Sequence, residues 1–224
     1  MRIIICGYGK MGKLLYEKLK SDHELYIVDK NLGYLFSDIK EEADLIIDFS
    51  SKDGIYSIYD YLKNNKSSLI IGTTGYKDEE EKIIQEISEK HTVIMSSNFS
   101  RGINILYDLI DRLNKYNLDS ANITLLEKHN KNKIDSPSGT SKTIMSKLNY
   151  PINVYSVRCG DIIGEHELEI VLENEVINIK HTAYSRDIFI DGVIELIDTI
   201  SDLKPGLYSL ERIRYGKKRN YWIN

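Results

Sequence analysis

The chain has 224 residues, 42% of them hydrophobic, and a formal net charge of -4. That length supports one large core or two small ones, and the charge balance offers no basic field for a phosphate backbone, so nucleic acid is excluded as an expected partner. The longest apolar stretches, such as Arg2 to Cys6 and Leu69 to Ile71, are strand-sized and too short for a bilayer; with no secretory signal pattern at the start, the expected location is the cytoplasm and no membrane partner is expected.

In chain order, Arg2 to Cys6 reads as a strand, Met11, Leu14, Leu15 and Leu19 repeat at helical spacing, and Glu24 to Asp29 returns to strand, which makes a βαβ unit. Ala43 to Phe49 is a third strand, Ile55, Ile58, Tyr59 and Leu62 mark a helical face, and Ser68 to Ile71 is a fourth strand. Ile83, Ile84 and Ile87 give another helix before a fifth strand, Thr92 to Met95. This alternation predicts an α/β fold whose first part, residues 1–101, is a Rossmann-type, doubly wound parallel sheet.

An amphipathic helix from Asn104 to Tyr116 follows, and then the rhythm changes. Strand Ile123 to Glu127, a polar loop and helix Ser141 to Leu148 lead into strands Val154 to Arg158, Glu167 to Leu172 and Val176 to His181. Only Glu173 to Glu175 separates the last two, which implies an antiparallel hairpin. Helix Ile188 to Ile200 is expected to cover one face of this sheet, completing a smaller mixed α/β domain over residues 102–204. Leu207 to Arg214 has a helical pattern, and the sequence leaves open whether 205–224 pack back on the first domain. The two cysteines, Cys6 and Cys159, lie in predicted strands without metal-ligand spacing, so buried thiols and no metal site are expected.

Gly7, Gly9 and Gly12 form G-x-G-x-x-G directly after the first strand and at the start of the first helix. The first glycine permits the tight turn, the second lets backbone approach a pyrophosphate, and the third lets helix and strand pack closely, with the anion at the helix N-terminus. Asp29 ends the next strand, where a carboxylate can hold a ribose diol or simply cap the following turn. Asp48-Phe49-Ser50, Gly72-Thr73-Thr74-Gly75 and Ser96-Ser97-Asn98-Phe99 end the third, fourth and fifth strands. Singly each could be an ordinary turn; together they place small and polar residues along the edge where such sheets bind ligands.

The segment from Glu127 to Thr140 concentrates His129, Lys128, Lys131 and Lys133 just ahead of Ser138-Gly139-Thr140 and a helix. Ammonium groups and helix-start N–H donors suit an anionic substrate, and an imidazole can move a proton near neutral pH. A solvated basic loop with an exposed histidine is the alternative reading.

Gly7-Tyr8-Gly9-Lys10-Met11-Gly12, Asp48-Phe49-Ser50, Gly72-Thr73-Thr74-Gly75, Ser97-Asn98-Phe99-Ser100 and the K-x-D-x-P-S-G-T run from Lys133 to Thr140 occur in the order seen in 4-hydroxy-tetrahydrodipicolinate reductases, which this sequence resembles over nearly its whole length. Arg158 to His166 and His181 to Arg186 extend the resemblance. It implies an oxidoreductase of lysine and diaminopimelate biosynthesis. Hydride would pass from a reduced nicotinamide to a small cyclic dicarboxylate in a cleft between the domains.

The resemblance also implies roles for individual residues. His129 would be the catalytic acid/base and Lys133 a second proton donor, with Asn130, Lys133, Ser138, Gly139 and Thr140 on the substrate. The cofactor would lie on Gly7, Tyr8, Gly9, Lys10, Met11, Gly12, Asp29, Lys30 and Ser50, with Gly72, Thr73, Thr74, Ser96, Ser97, Asn98 and Phe99 flanking the nicotinamide. From their own charges, the adjacent Asp29 and Lys30 are expected to favour NADH while still accepting NADPH. A homotetramer built through the second domain's sheet is implied as well. Where the family often carries H-H-R-H-K, this chain has His129-Asn130-Lys131-Asn132-Lys133, so a contact usually made by imidazole falls to Asn130; Arg101 stands where an aliphatic residue is expected. Another two-domain dehydrogenase would not need the Lys133 to Thr140 segment, and a ligand-sensing module would not need His129 and Lys133.

Overall fold

In the computed structural model, residues 1–210 and 213 are described. The chain divides into two compact units, Met1–Phe99 with Ile190–Asn224 and Ser100–Phe189. The first unit is built on six strands, β1 (Arg2–Cys6), β2 (Glu24–Val28), β3 (Leu45–Asp48), β4 (Ser68–Ile71), β5 (Thr92–Met95) and β10 (Gly206–Tyr208), in the order β10-β5-β4-β3-β1-β2. All pairings are parallel. Helices α1 (Lys10–Leu19), α2 (Gly54–Leu62) and α3 (Asp78–Lys90) make the crossovers.

Because helices cover both faces of a parallel sheet, its central strands are apolar on both sides. Ile3 and Ile5 enter one core with Leu45 and Ile47, whereas Ile4 and Cys6 enter the other with Ile46 and Leu69. Each such side chain contributes about 1.5–3 kcal/mol on full burial.

Two expectations for the last quarter of the chain are corrected. Helix α6 (Asp187–Ile200) was expected on the second sheet, yet Ile190, Val193, Leu196, Ile197 and Ile200 pack with Ile3, Leu15 and Ile94 of the first unit's core. Periodicity shows that a helix has an apolar face but not which sheet receives it. The expected helix from Leu207 begins instead as the strand β10, whose Leu207 pairs with Val93 on the edge of β5. Pairing with a free edge satisfies backbone groups that a local pattern cannot see. Leu210 and Ile213 join the same core; positions 211, 212 and 214 of the expected helix lie outside the described residues.

The second unit holds a four-stranded sheet in the order β7-β6-β8-β9, from β6 (Asn122–His129), β7 (Asn153–Arg158), β8 (Gly164–Val171) and β9 (Val176–Ala183). β6 and β7 run parallel, while β6–β8 and β8–β9 are antiparallel. Helices α4 (Arg101–Leu113) and α5 (Gly139–Lys147) pack on one face, where Ile103, Leu106 and Ile144 meet Ile123, Leu125, Leu168 and Ile170. Cys6 is buried, but Cys159, expected to be buried, is exposed. It lies one residue past β7, where the chain has left the sheet.

Candidate active site

The glycine motif adopts the geometry that its spacing predicts. Gly7 has φ 86°, a conformation costly for other residues. A Cβ on Gly12 would lie 1.9 Å from the Gly7 carbonyl oxygen, so helix α1 can approach the turn only without a side chain there. Beyond its chain neighbours a Cβ on Gly9 would meet nothing within 4 Å, and Gly9 lines a cavity of about 830 Å³. No side chain caps α1, which leaves its first N–H groups available to an anion. Asp29, Lys30, Phe49 and Ser50 line the same cavity. A dinucleotide's phosphate and ribose therefore fit these residues.

Asp29 has a second task. One carboxylate oxygen accepts from the Tyr8 N–H at 2.7 Å and the other from the Asn31 N–H at 2.9 Å, which ties the glycine turn to the turn after β2. Gly72 to Thr74 and Ser96 to Phe99 do not line that cavity. Their local structure follows from packing: a Cβ on Gly72 would lie 2.1 Å from the Phe49 ring, and the Ser96 hydroxyl donates to the Asn98 carbonyl at 2.9 Å. Asp48, fully buried, accepts from the Ser50 N–H and hydroxyl and from the Tyr76 hydroxyl. Burial raises its pKa despite these donors.

In the second unit the segment after Glu127 is not simply a basic loop. Strand β6 continues to His129, and strand alternation puts Glu127 and His129 on the same face as the apolar core. Glu127 is fully buried and His129 is 8% exposed. Across β8, His166 stands opposite Glu127, and across β7, Arg158 stands opposite His129. Glu127 Oε2 contacts His129 Nδ1, while Arg158 donates to Glu127 Oε1 at 2.7 Å and to the Asp135 carbonyl at 2.6 Å. The rings of His129 and His166 meet edge to face with centroids 5.2 Å apart. The His166 Nε2 lies 3.2 Å from the Ser138 hydroxyl.

These surroundings set the charges. Burial lowers the pKa of His129, partly opposed by the Glu127 carboxylate. Burial and the neighbouring His129 push His166 down to about 3, so it is neutral at physiological pH. Glu127 is pushed up by burial, but hydrogen bonds from Arg158 and Ser156 outweigh this and hold its carboxyl below the usual range. Ligand atoms of Glu127, His129 and His166 lie within 4.8 Å of one another, a donor set that could hold a metal. Both Glu127 oxygens are already engaged, however, one by Arg158 and one by His129.

The remaining expected substrate residues follow along the loop. Asn130 Oδ1 accepts from the Asn132 N–H at 3.0 Å, and Lys133 pairs with Asp135 at 2.7 Å. The Ser138 hydroxyl caps α5 by accepting from the Ser141 N–H, so that Gly139 and Thr140 form the first turn of the helix. Glu127, Arg158 and His166 were not singled out as site residues in the sequence. For Glu127 the only signal was its place at the start of the polar segment that ends at Thr140, and for Arg158 and His166 it was membership of a stretch that resembles the reductase family, because strand pairing is what brings the three to His129.

The family models described as dihydrodipicolinate reductase, N-terminus, and dihydrodipicolinate reductase, C-terminus, match residues 1–99 and 102–213. The chain is 35% identical to the 4-hydroxy-tetrahydrodipicolinate reductase of Caldanaerobacter subterraneus subsp. tengcongensis, covering 94% of this chain and 97% of that protein. It is 34% identical to the enzyme of that name from Thermosipho africanus, covering 95% and 97%. Its fold is similar to that of dipicolinate-bound dihydrodipicolinate reductase from Paenisporosarcina sp. TG-14, with a TM-score of 0.75 at 21% identity over 95% of this chain and 99% of the other. The fold is also shared, at a TM-score of 0.52 and 14% identity over 89% and 96%, by aspartate dehydrogenase from Thermotoga maritima. With both halves matched in order and relatives above 30% identity along nearly the full length, this chain belongs to the dihydrodipicolinate reductase family.

Proposed function

We propose that the chain catalyses the NAD(P)H-dependent reduction of 4-hydroxy-tetrahydrodipicolinate to tetrahydrodipicolinate, with loss of water, in lysine and diaminopimelate biosynthesis. The observation that carries this reading is the buried His129, in contact with Glu127 and followed within one loop by Lys133 and the start of α5. A reduced nicotinamide, when bound, supplies the hydride. Backbone from Gly7 to Gly12 holds its pyrophosphate, Asp29 and Lys30 face its ribose with Ser50 beside them, and Gly72, Thr73, Thr74, Ser96, Ser97, Asn98 and Phe99 flank the nicotinamide.

The substrate's carboxylate is held by the N–H groups of Gly139 and Thr140 and by Lys133, with Asn130 beside it. Ser138 acts there through its cap, which fixes the first turn of α5. His129 accepts and returns a proton, and Lys133 donates a second. The dipicolinate in the Paenisporosarcina relative is the kind of planar dicarboxylate that such a site takes. A cytoplasmic homotetramer agrees with the family resemblance. Exposed Tyr155 and Val157, which share a register face with Leu126, offer apolar surface on the second sheet for another copy.

The test is oxidation of the reduced cofactor, followed at its absorbance band, with enzymatically generated substrate. His129→Ala or Lys133→Ala should lower turnover by about 10² to 10⁴ fold while leaving cofactor affinity nearly unchanged. Parent turnover retained in His129→Ala would show that this imidazole moves no proton.

A further inference from the structure

Glu127 is not needed to make a strand or a core, and a carboxylate in a position with no solvent exposure must be matched by donors. Two of those donors decide its function. Arg158 can only donate, and it holds Oε1 at 2.7 Å; the other oxygen, Oε2, contacts His129 Nδ1. An ionised carboxylate can only accept, so the proton on a neutral His129 must sit on Nδ1, leaving the lone pair on Nε2. Room is kept beside that atom: a Cβ on the buried Gly164 would lie 3.2 Å from His129 Nε2.

We propose that Glu127, clamped by Arg158, is a positioning residue that fixes His129 as the Nδ1–H tautomer, so that Nε2 is the atom which takes up and returns the proton. This rests on the reading of His129 given above. The groups facing His129 are Glu127 on its own strand, Lys133 in the following loop, Arg158 on β7 and His166 on β8. Among them Glu127 favours the imidazolium, Lys133 and Arg158 disfavour it, and His166 is neutral until about pH 3.

Glu127→Gln, nearly the same shape, makes a specific prediction. Arg158 will claim the carboxamide oxygen, because a guanidinium has no acceptor, and the amide NH2 will then face Nδ1. His129 can meet that donor only as the Nε2–H tautomer, which presents the wrong atom for proton uptake. The same logic applies to an Asn variant of the serine-protease triad's aspartate. Turnover should fall about 10² to 10⁴ fold with KM for both substrates little changed. The acid limb of the kcat/KM profile should move to lower pH, since the charge that favours the imidazolium is gone.

The direct measurement is ¹⁵N NMR of the histidine-labelled full-length protein, with the His129 signals identified by their loss in His129→Gln. The parent should show a protonated Nδ1 and a bare Nε2 at neutral pH, and Glu127→Gln should show the reverse. A merely structural Glu127 would lower activity without moving either the tautomer or the acid limb. An Nε2–H signal in the parent overturns the proposal even if the variant does not fold. So does a Glu127→Gln protein with the parent's tautomer and pH limb. Neither result touches the role of His129 itself, which stands or falls on His129→Ala.

Discussion

Asp29 is placed where one side chain could serve two purposes. Its oxygens already accept from the N–H groups of Tyr8 and Asn31, yet each keeps a second lone pair, and the residue lines the same cavity as Gly7 and Gly9. A carboxylate there can accept from both ribose hydroxyls of NADH and would repel the extra phosphate of NADPH, while Lys30 beside it would offset part of that repulsion. Lys30 is exposed, so solvent screens the pair and the discrimination should be modest. NADH should have the higher kcat/KM, and Asp29→Ala should lower the NADH to NADPH ratio. Equal ratios in parent and variant would make Asp29 a brace for the glycine turn and nothing more. In that case the variant should still lose stability, because two backbone donors lose their partner.

At the scale of elements, α6 can sit where it does only because one side chain is missing. A Cβ on Gly192 would lie 1.9 Å from the Phe99 carbonyl oxygen, which is backbone and cannot swing aside. The helix around it buries Ile190, Val193, Leu196, Ile197 and Ile200. Gly192→Ala gains helix propensity of about 1 kcal/mol, but forcing α6 outward across this packed face costs typically 1–3 kcal/mol or more. The net expectation is destabilisation, read as a lower urea midpoint with an unchanged slope. A variant as stable as the parent would mean that α6 can shift without losing its core contacts.

Across the whole molecule, acid should act through the buried histidines. His166 titrates near 3 in the fold against about 6.5 when unfolded, so between those values the unfolded chain binds a proton that the native state refuses. Stability therefore falls as pH drops from about 6.5 toward 3. His129 and His181, also lowered by burial, add to the same loss. Glu127 has the opposite charge type but the same outcome: its depressed pKa stabilises the fold above the usual carboxylate range, and that contribution disappears as acid protonates it. Urea midpoints at pH 7 and pH 4.5 should differ strongly in the parent and less in His166→Gln, which removes one titrating group. The same drop in both proteins would show that His166 is not a source of acid sensitivity.

The sequence by itself determined what depends on near neighbours along the chain. The run Gly7 to Gly12 requires a turn that only glycines permit, the alternation of apolar runs and helical faces requires a parallel sheet covered on both sides, and Glu173 to Glu175 is too short for anything but a hairpin. Lys133 and the Ser138-Gly139-Thr140 helix start were legible for the same reason, since capping and charge clustering are local. What only the tertiary structure decided is where distant segments meet. Three strands, β6, β7 and β8, bring His129, Arg158 and His166 around Glu127, and nothing in the spacing of 127, 158 and 166 specifies that register. The same limit explains α6 and β10. An apolar helix face or a short extended run fits any sheet that has a bare surface or edge, and the choice is made by shape and hydrogen-bond complementarity between residues far apart in the chain.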